Sequence, residues 1–272
     1  MNLSDYISQK FHNTDELKLK YSSACPFPHI VMDNFVSTTL LNQVLEEFPD
    51  LSNIQTKIEF KNQREIKFAS DGFADLSPAA AKLISFLNSN VFLEYLSRLT
   101  GIEECLISDP YLAGGGYHEI KSGGVLKVHA DFNKHPLIDL DRRLNLLLYL
   151  NKDWQEGWGG SLELYDEDNL SKPTVSIEPI FNRCVIFSTT SYTYHGHPLP
   201  LNIPEDMSRK SIALYYFSLG RPRSESTGKH GTLFVEAKGE KLSYDLGSIL
   251  FDFSPPIIIR FFKALKRKWK TK

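Results

Sequence analysis

The segment Val128-His129-Ala130-Asp131-Phe132 sets an imidazole and a carboxylate two positions apart. On a β-strand, side chains two apart stand on the same face, so His129 and Asp131 can share one ligand. A nitrogen and an oxygen donor together suit a borderline divalent cation, and two histidines with one carboxylate on one side of a metal leave further positions open. The pair alone is a weak signal, because such spacings arise by chance. Two downstream features give it weight: a histidine pair in Tyr194-His195-Gly196-His197-Pro198, and Arg209 opening the stretch RKSIALYYF. His195 and His197 are also two apart, so alternation does not choose between them as the third donor. The other is left to orient the first, contact substrate or face water.

Two strands must carry the rest of such a site. From Arg209, alternation puts Arg209, Ser211, Ala213 and Tyr215 on one face and Lys210, Ile212, Leu214 and Tyr216 on the other. An arginine among small or hydroxylic neighbours leaves room for a ligand carboxylate, which a guanidinium grips through paired, charge-assisted hydrogen bonds; a salt bridge to a nearby acid is the competing explanation. In LNLLLYLN, Asn145, Leu147, Tyr149 and Asn151 face one way and Leu144, Leu146, Leu148 and Leu150 the other. Tyr149 can then point its hydroxyl into an interior pocket while the leucines pack against a covering layer.

Helices and further strands must surround these two. The two prolines of PFPHIVMDNFV, from Pro26 to Val36, keep that segment extended. Ser37 is placed as an N-cap for a helix over Thr38 to Phe48, whose Leu40, Leu41, Val44, Leu45 and Phe48 recur at helical spacing. A helical block runs from Pro78 to Thr100, with Gly101 as its cap. Beyond it come short strands, roughly Gly124 to Ala130, Leu144 to Asn151, Ser161 to Tyr165, Thr174 to Pro179, Arg183 to Ser188 and Lys210 to Leu219. Their spacing argues for an antiparallel sandwich or barrel over alternating βαβ units.

With 272 residues, 42% of them hydrophobic, the chain can bury a substantial core. A net charge of −2 gives no electrostatic reason to expect a nucleic-acid partner. Cys25, Cys105 and Cys184 are widely separated and read as reduced, buried thiols. The amino terminus lacks the basic start, apolar run and cleavage site of a secretory signal, and no apolar run approaches the ~20 residues that span a bilayer, so a cytoplasmic protein is expected.

Taken in order, PFPHIVMDNF, GGVLKVHADF, RRLNLLLYLNKDW, GGSLELYD, IEPIFNRCVIFS, YHGHP and RKSIALYYF resemble the prolyl-hydroxylase-like group of the Fe(II)/2-oxoglutarate oxygenases. The resemblance covers about Pro26 to Ser218. It implies a mainly β fold with packed helices, a double-stranded β-helix (jelly roll, cupin-like). It implies Fe(II) held by His129, Asp131 and His195, with His197 as the alternative third ligand. It also implies 2-oxoglutarate held through its distal carboxylate by Arg209 with Tyr149, and more weakly Ser211, and it allows for stimulation by ascorbate. Dioxygen would be consumed with 2-oxoglutarate, and a C–H bond of a small molecule, a glycan-linked metabolite or a peptidyl side chain hydroxylated. A catalytically silent jelly-roll binding module, or a cupin-type metal-dependent hydrolase or isomerase, are the other readings; the last has no need of Arg209.

Residues 1–104 are expected to form a helical and extended support, 105–220 the catalytic β-helix, and 221–272 an extension with a basic end. Substrate contacts are sought in two loops, GGGYHEIKSGG and FNKHPLIDLDRR, through His118, Lys134, His135, Arg142 and Arg143. The terminal IIIRFFKALKRKWKTK is read as an amphipathic helix that docks on the domain with a solvated basic end, in preference to one that touches anionic lipid.

Overall fold

The computed structural model describes residues 1–236. The terminal basic segment lies outside the described residues. Among the described residues four α-helices, α1 (Thr14–Ser22), α2 (Thr38–Glu46), α3 (Pro78–Leu87) and α4 (Asn90–Thr100), accompany thirteen strands. The strands are β1 (His29–Asp33), β2 (Ile58–Lys61), β3 (Ile66–Ala69), β4 (Ile107–Ser108), β5 (Gly116–Ile120), β6 (Leu126–Ala130), β7 (Asp141–Tyr149), β8 (Leu162–Tyr165), β9 (Val175–Ile177), β10 (Arg183–Ser188), β11 (Tyr194–His197), β12 (Arg209–Ser218) and β13 (Leu233–Phe234).

They form two antiparallel sheets. The larger runs β1-β10-β7-β12-β5-β3-β2 with β4 also paired to β12, and the smaller runs β13-β6-β11-β8-β9. This is the jelly roll. Residues 1–104 and 105–220 are interleaved in it: β1 forms one edge of the large sheet and β2 with β3 the other. Arg183 fastens the first of these edges, donating from Nε and Nη2 to the two carboxylate oxygens of Asp33 at 2.6 and 2.9 Å. Beyond residue 220 the chain returns to the small sheet, where Leu233 pairs with Ala130 and Phe234 with His129.

The alternation expected of β7 and β12 divides the large sheet into two faces. On the outer face Leu144, Leu146, Leu148, Ile212, Leu214 and Tyr216 are all at most 1% exposed and share one apolar cluster with Leu41, Val44, Leu83, Leu87, Phe92 and Leu99 of the helices. Close packing at this density makes each leucine worth about 2–5 kcal/mol against alanine.

Several expectations change. The helical block is two helices, because Asn88 ends α3 and Ser89, with extended backbone, starts α4. Ser77 caps α3 by accepting from the Ala80 N–H, whereas Ser37 occupies the N-cap of α2 without a side-chain cap bond. The stretch read as the loop GGGYHEIKSGG contains β5, an interior strand of the large sheet. Its glycines permit close strand approach as well as turning: a Cβ at Gly115 would stand 2.9 Å from the Ala213 carbonyl oxygen. Of the cysteines only Cys184 is buried; Cys25 and Cys105 lie exposed in connections, and all three are free thiols. No helix among the described residues is long and apolar enough to cross a membrane.

Candidate metal centre

His129 on β6 stands directly opposite His195 on β11, ring centroids 4.5 Å apart, because the two strands pair in that register. Asp131, one residue past β6, completes the group. One donor atom from each of the three lies within 4.8 Å of the others, and all three residues are buried. Each histidine is fixed in the same way: Nδ1–H donates to the carbonyl two residues earlier, Lys127 for His129 at 2.7 Å and Thr193 for His195 at 3.0 Å. A carbonyl only accepts, so Nδ1 carries the proton and Nε2 turns a lone pair inward. Those lone pairs face the Asp131 carboxylate, 3.6 Å from His129 Nε2 to Oδ1 and 3.3 Å from His195 Nε2 to Oδ2. Three electron-rich donors held together in a dry site are mutually repulsive unless a cation sits among them. The arrangement therefore fits a divalent metal with two nitrogen ligands and one oxygen ligand.

Asp131 is oriented from behind. Asn145 Nδ2 donates to its Oδ2 at 2.7 Å, and Arg142 Nη2 lies 3.1 Å from the same oxygen. Arg142 donates from Nε and Nη2 to Asn145 Oδ1, and its guanidinium lies 3.5 Å from the Tyr215 ring centroid and 4.3 Å from that of Phe132. Burial by itself would raise the Asp131 pKa, but the positive charge of Arg142 holds it well below the usual carboxylate range. The carboxylate stays ionised. Burial is also the main reason the His129 imidazole is held neutral.

Across the same cavity lies Arg209, 5% exposed. Its Nε donates to the Gly160 carbonyl at 2.7 Å and its Nη2 to the Tyr149 hydroxyl at 3.2 Å. Gly160 has φ +73°, and a Cβ there would stand 3.1 Å from Arg209 Cδ, so a glycine is what lets this carbonyl reach the guanidinium. Among the described residues no carboxylate pairs with Arg209, which disposes of the salt bridge that competed with a ligand in the sequence. A buried guanidinium without a counter-charge is costly, and a carboxylate entering the cavity would satisfy it. Ser211, on the same face of β12, lines the cavity too, whereas Tyr149, fully buried, stands behind the lining and meets the site through its hydroxyl, which accepts from Arg209.

Of the sequence-selected residues, His129, Asp131, His195, His197, Arg209 and Ser211 line one cavity, and Tyr149 stands behind Arg209. His195 and not His197 shares the donor cluster; His197 is buried and lines the cavity beside it. Of the candidates for a lid or rim, His118 and Arg142 line the cavity. Arg143 is buried against Glu104 and Ser218, His135 against Asp109, and Lys134 bridges Asp139 and Asp141. These three hold loops together. Alternation puts Asn145 on the correct face of β7 but assigns it no role; its bond to Asp131 depends on the register of β7 beside the end of β6, which no local pattern encodes. Lys67, Leu126 and Leu162 also line the cavity and left no signal in the sequence.

Residues 115–217 match the 2OG-Fe(II) oxygenase superfamily. Over these residues the chain is similar to that superfamily. Fe(II) and 2-oxoglutarate are that superfamily's metal and cosubstrate, and dioxygen its oxidant. Among curated proteins the chain is 28% identical over 179 residues to prolyl 3-hydroxylase OGFOD1 of Xenopus laevis, a match over 62% of the chain and 31% of the relative. It is 27% identical over 213 residues to the Mus musculus protein of the same name, covering 72% and 34%. It therefore spans about a third of the length of these relatives. In fold it is similar to a Trichoplax adhaerens prolyl hydroxylase solved with a peptide of hypoxia inducible factor, with TM-score 0.55, 20% identity, and 77% of this chain and 91% of that one covered. A Pseudomonas putida prolyl-4-hydroxylase gives TM-score 0.53 at 14% identity, covering 76% and 100%.

Proposed function

We propose that this chain is an Fe(II)- and 2-oxoglutarate-dependent dioxygenase that hydroxylates a C–H bond, with His129, Asp131 and His195 as iron ligands and Arg209, Tyr149 and Ser211 at the cosubstrate carboxylate. One observation carries the reading: a buried arginine with no acid partner among the described residues faces a cluster of two histidines and one aspartate across a single cavity. A cupin-type hydrolase would have no use for that arginine.

When bound, the iron and 2-oxoglutarate supply the oxidising chemistry, in which dioxygen is consumed, 2-oxoglutarate yields succinate and carbon dioxide, and a substrate C–H bond becomes C–OH. The chain's own part is positional. Lys127 and Thr193 carbonyls keep both Nε2 atoms aimed, and Asn145 with Arg142 keeps the Asp131 carboxylate ionised and oriented. Arg209 and Tyr149 present donors to the far carboxylate, which fixes the cosubstrate's direction. Leu126, Leu147, Leu162 and Ile120 line the cavity and restrict water.

For the substrate, the two curated relatives are named prolyl 3-hydroxylases, which favours a peptidyl side chain over a small molecule or a glycan-linked metabolite. The setting we assign is the cytoplasm, in keeping with three free thiols. Incubating the protein with Fe(II), 2-oxoglutarate, ascorbate and panels of proline-containing peptides and metabolites, followed by mass spectrometry, tests this. Gain of one oxygen atom that requires 2-oxoglutarate and yields stoichiometric succinate is the expected result. Binding of 2-oxoglutarate with no oxygen transfer to any class would point to a silent binding module.

A further inference from the structure

His197 is a buried imidazole to which the metal cluster and the carboxylate donors assign no use. It is 4% exposed, and neither Nδ1 nor Nε2 makes a hydrogen bond. The Leu199 backbone lies nearby but outside hydrogen-bond geometry. An unpaired buried polar group costs on the order of 1–3 kcal/mol, and a native core keeps one where something else supplies the partner. The ring is not in the metal cluster, which is His129, Asp131 and His195.

Its place in the cavity identifies the partner. A register shift between His195 and His197 sets His197 opposite Leu126, where regular pairing would bring it opposite Lys127. A bulge of this kind re-aims side chains. Both histidines line the cavity that holds Arg209. Lys67 and the cluster residues His129, Asp131 and His195 line that cavity too, so His197 shares one space with the arginine and the metal cluster. A ligand that spans this cavity from the cluster to Arg209 shares it with an imidazole that has no protein partner.

Resting on the function proposed for this site, we infer that His197 donates a hydrogen bond to 2-oxoglutarate bound between the metal cluster and Arg209, and so acts as a cosubstrate-binding residue beyond the arginine, tyrosine and serine. A neutral imidazole carries one N–H, and a dicarboxylate offers acceptors along its whole length. The cosubstrate then supplies the partner that the protein does not.

The test compares wild type, His197→Leu and His197→Gln in two measurements that need no turnover: calorimetric titration of 2-oxoglutarate into protein loaded with Mn(II), and melting temperature without ligand. His197→Leu is expected to bind Mn(II) as wild type does, to bind 2-oxoglutarate about tenfold or more weakly, and to melt at or above the wild-type temperature, since an unpaired polar group has gone. His197→Gln, which retains a donor, should recover part of the affinity. Unchanged 2-oxoglutarate affinity in His197→Leu beside normal wild-type binding overturns this inference alone. Loss of Mn(II) binding in His197→Leu overturns it by making the residue a metal ligand, and failure to fold overturns it by making the ring a core residue. A wild-type protein that takes up Mn(II) but no 2-oxoglutarate defeats the proposed function and this inference together.

Discussion

The two faces of β7 and β12 share one backbone and follow opposite rules. Outward, Leu144, Leu146, Leu148, Ile212 and Leu214 are packed to exclusion of water against the helices, and each contact adds stability. Inward, Asn145, Tyr149, Arg209 and Ser211 are also buried, yet Arg209 has no counter-charge among the described residues. The contrast separates what holds the fold from what the fold holds. The outer face accounts for the sheet's stability without the inner one, and the inner face retains a buried cation that stability alone would not favour.

Substitutions can break this contrast at either face. The largest effect is expected at Asp131→Ala, which removes the only carboxylate of the donor cluster: metal affinity and succinate formation should fall to background, as metal titration would show, and the melting temperature should fall as well because buried Arg142 loses its acid. Leu148→Ala on the outer face should cost stability alone. A loss of about 2–5 kcal/mol, or roughly 4–20 °C in melting temperature, is expected, with 2-oxoglutarate affinity per folded molecule unchanged. Asn145→Ala leaves the Asp131 ligand in place but removes its 2.7 Å support, so metal affinity measured by competition with a chelator should weaken by about 10–100-fold. Retained affinity would show that Arg142 alone suffices.

The smallest effect concerns neither face. The Asp33 carboxyl is held below its ordinary value chiefly by hydrogen bonds from Arg183. A depressed carboxylate pKa adds stability that is present above the unfolded value near 3.8 and lost as pH falls through the folded one. Asp33→Asn should therefore destabilise the protein near pH 7 by about 0.5–1 kcal/mol, after allowance for screening at this half-exposed carboxylate, and the difference from wild type should close below about pH 4. Equal differences at both pH values would mean that packing, not charge, ties β1 to β10.

Sequence patterns carried the inner site further than the fold around it. Period-two alternation sorted Arg209, Ser211 and Tyr149 from their apolar neighbours, because a side chain's face depends on its position in the strand. The same rule could not separate His195 from His197. A register shift between β6 and β11 distinguishes them, and that is a property of paired strands. Helix α1, with little amphipathic contrast, and strands β2, β3 and β5 left no readable period; β5 was hidden by glycines that serve close strand approach as well as turning. Arg142 and Arg143 looked like a solvated rim because arginines usually are one. Their partners Asp131, Glu104 and Ser218 are brought to them only by tertiary structure.

Whether the inner face is built around a dicarboxylate can be measured directly by anaerobic addition of 2-oxoglutarate to the Fe(II)-loaded protein, monitored through the visible metal-to-ligand charge-transfer band. Wild type should develop the band and saturate. Arg209→Ala should need on the order of a hundredfold more 2-oxoglutarate, since a buried charge-assisted pair is lost. A band that forms equally well in Arg209→Ala, or that never forms in wild type carrying bound iron, would contradict the assignment of this cavity.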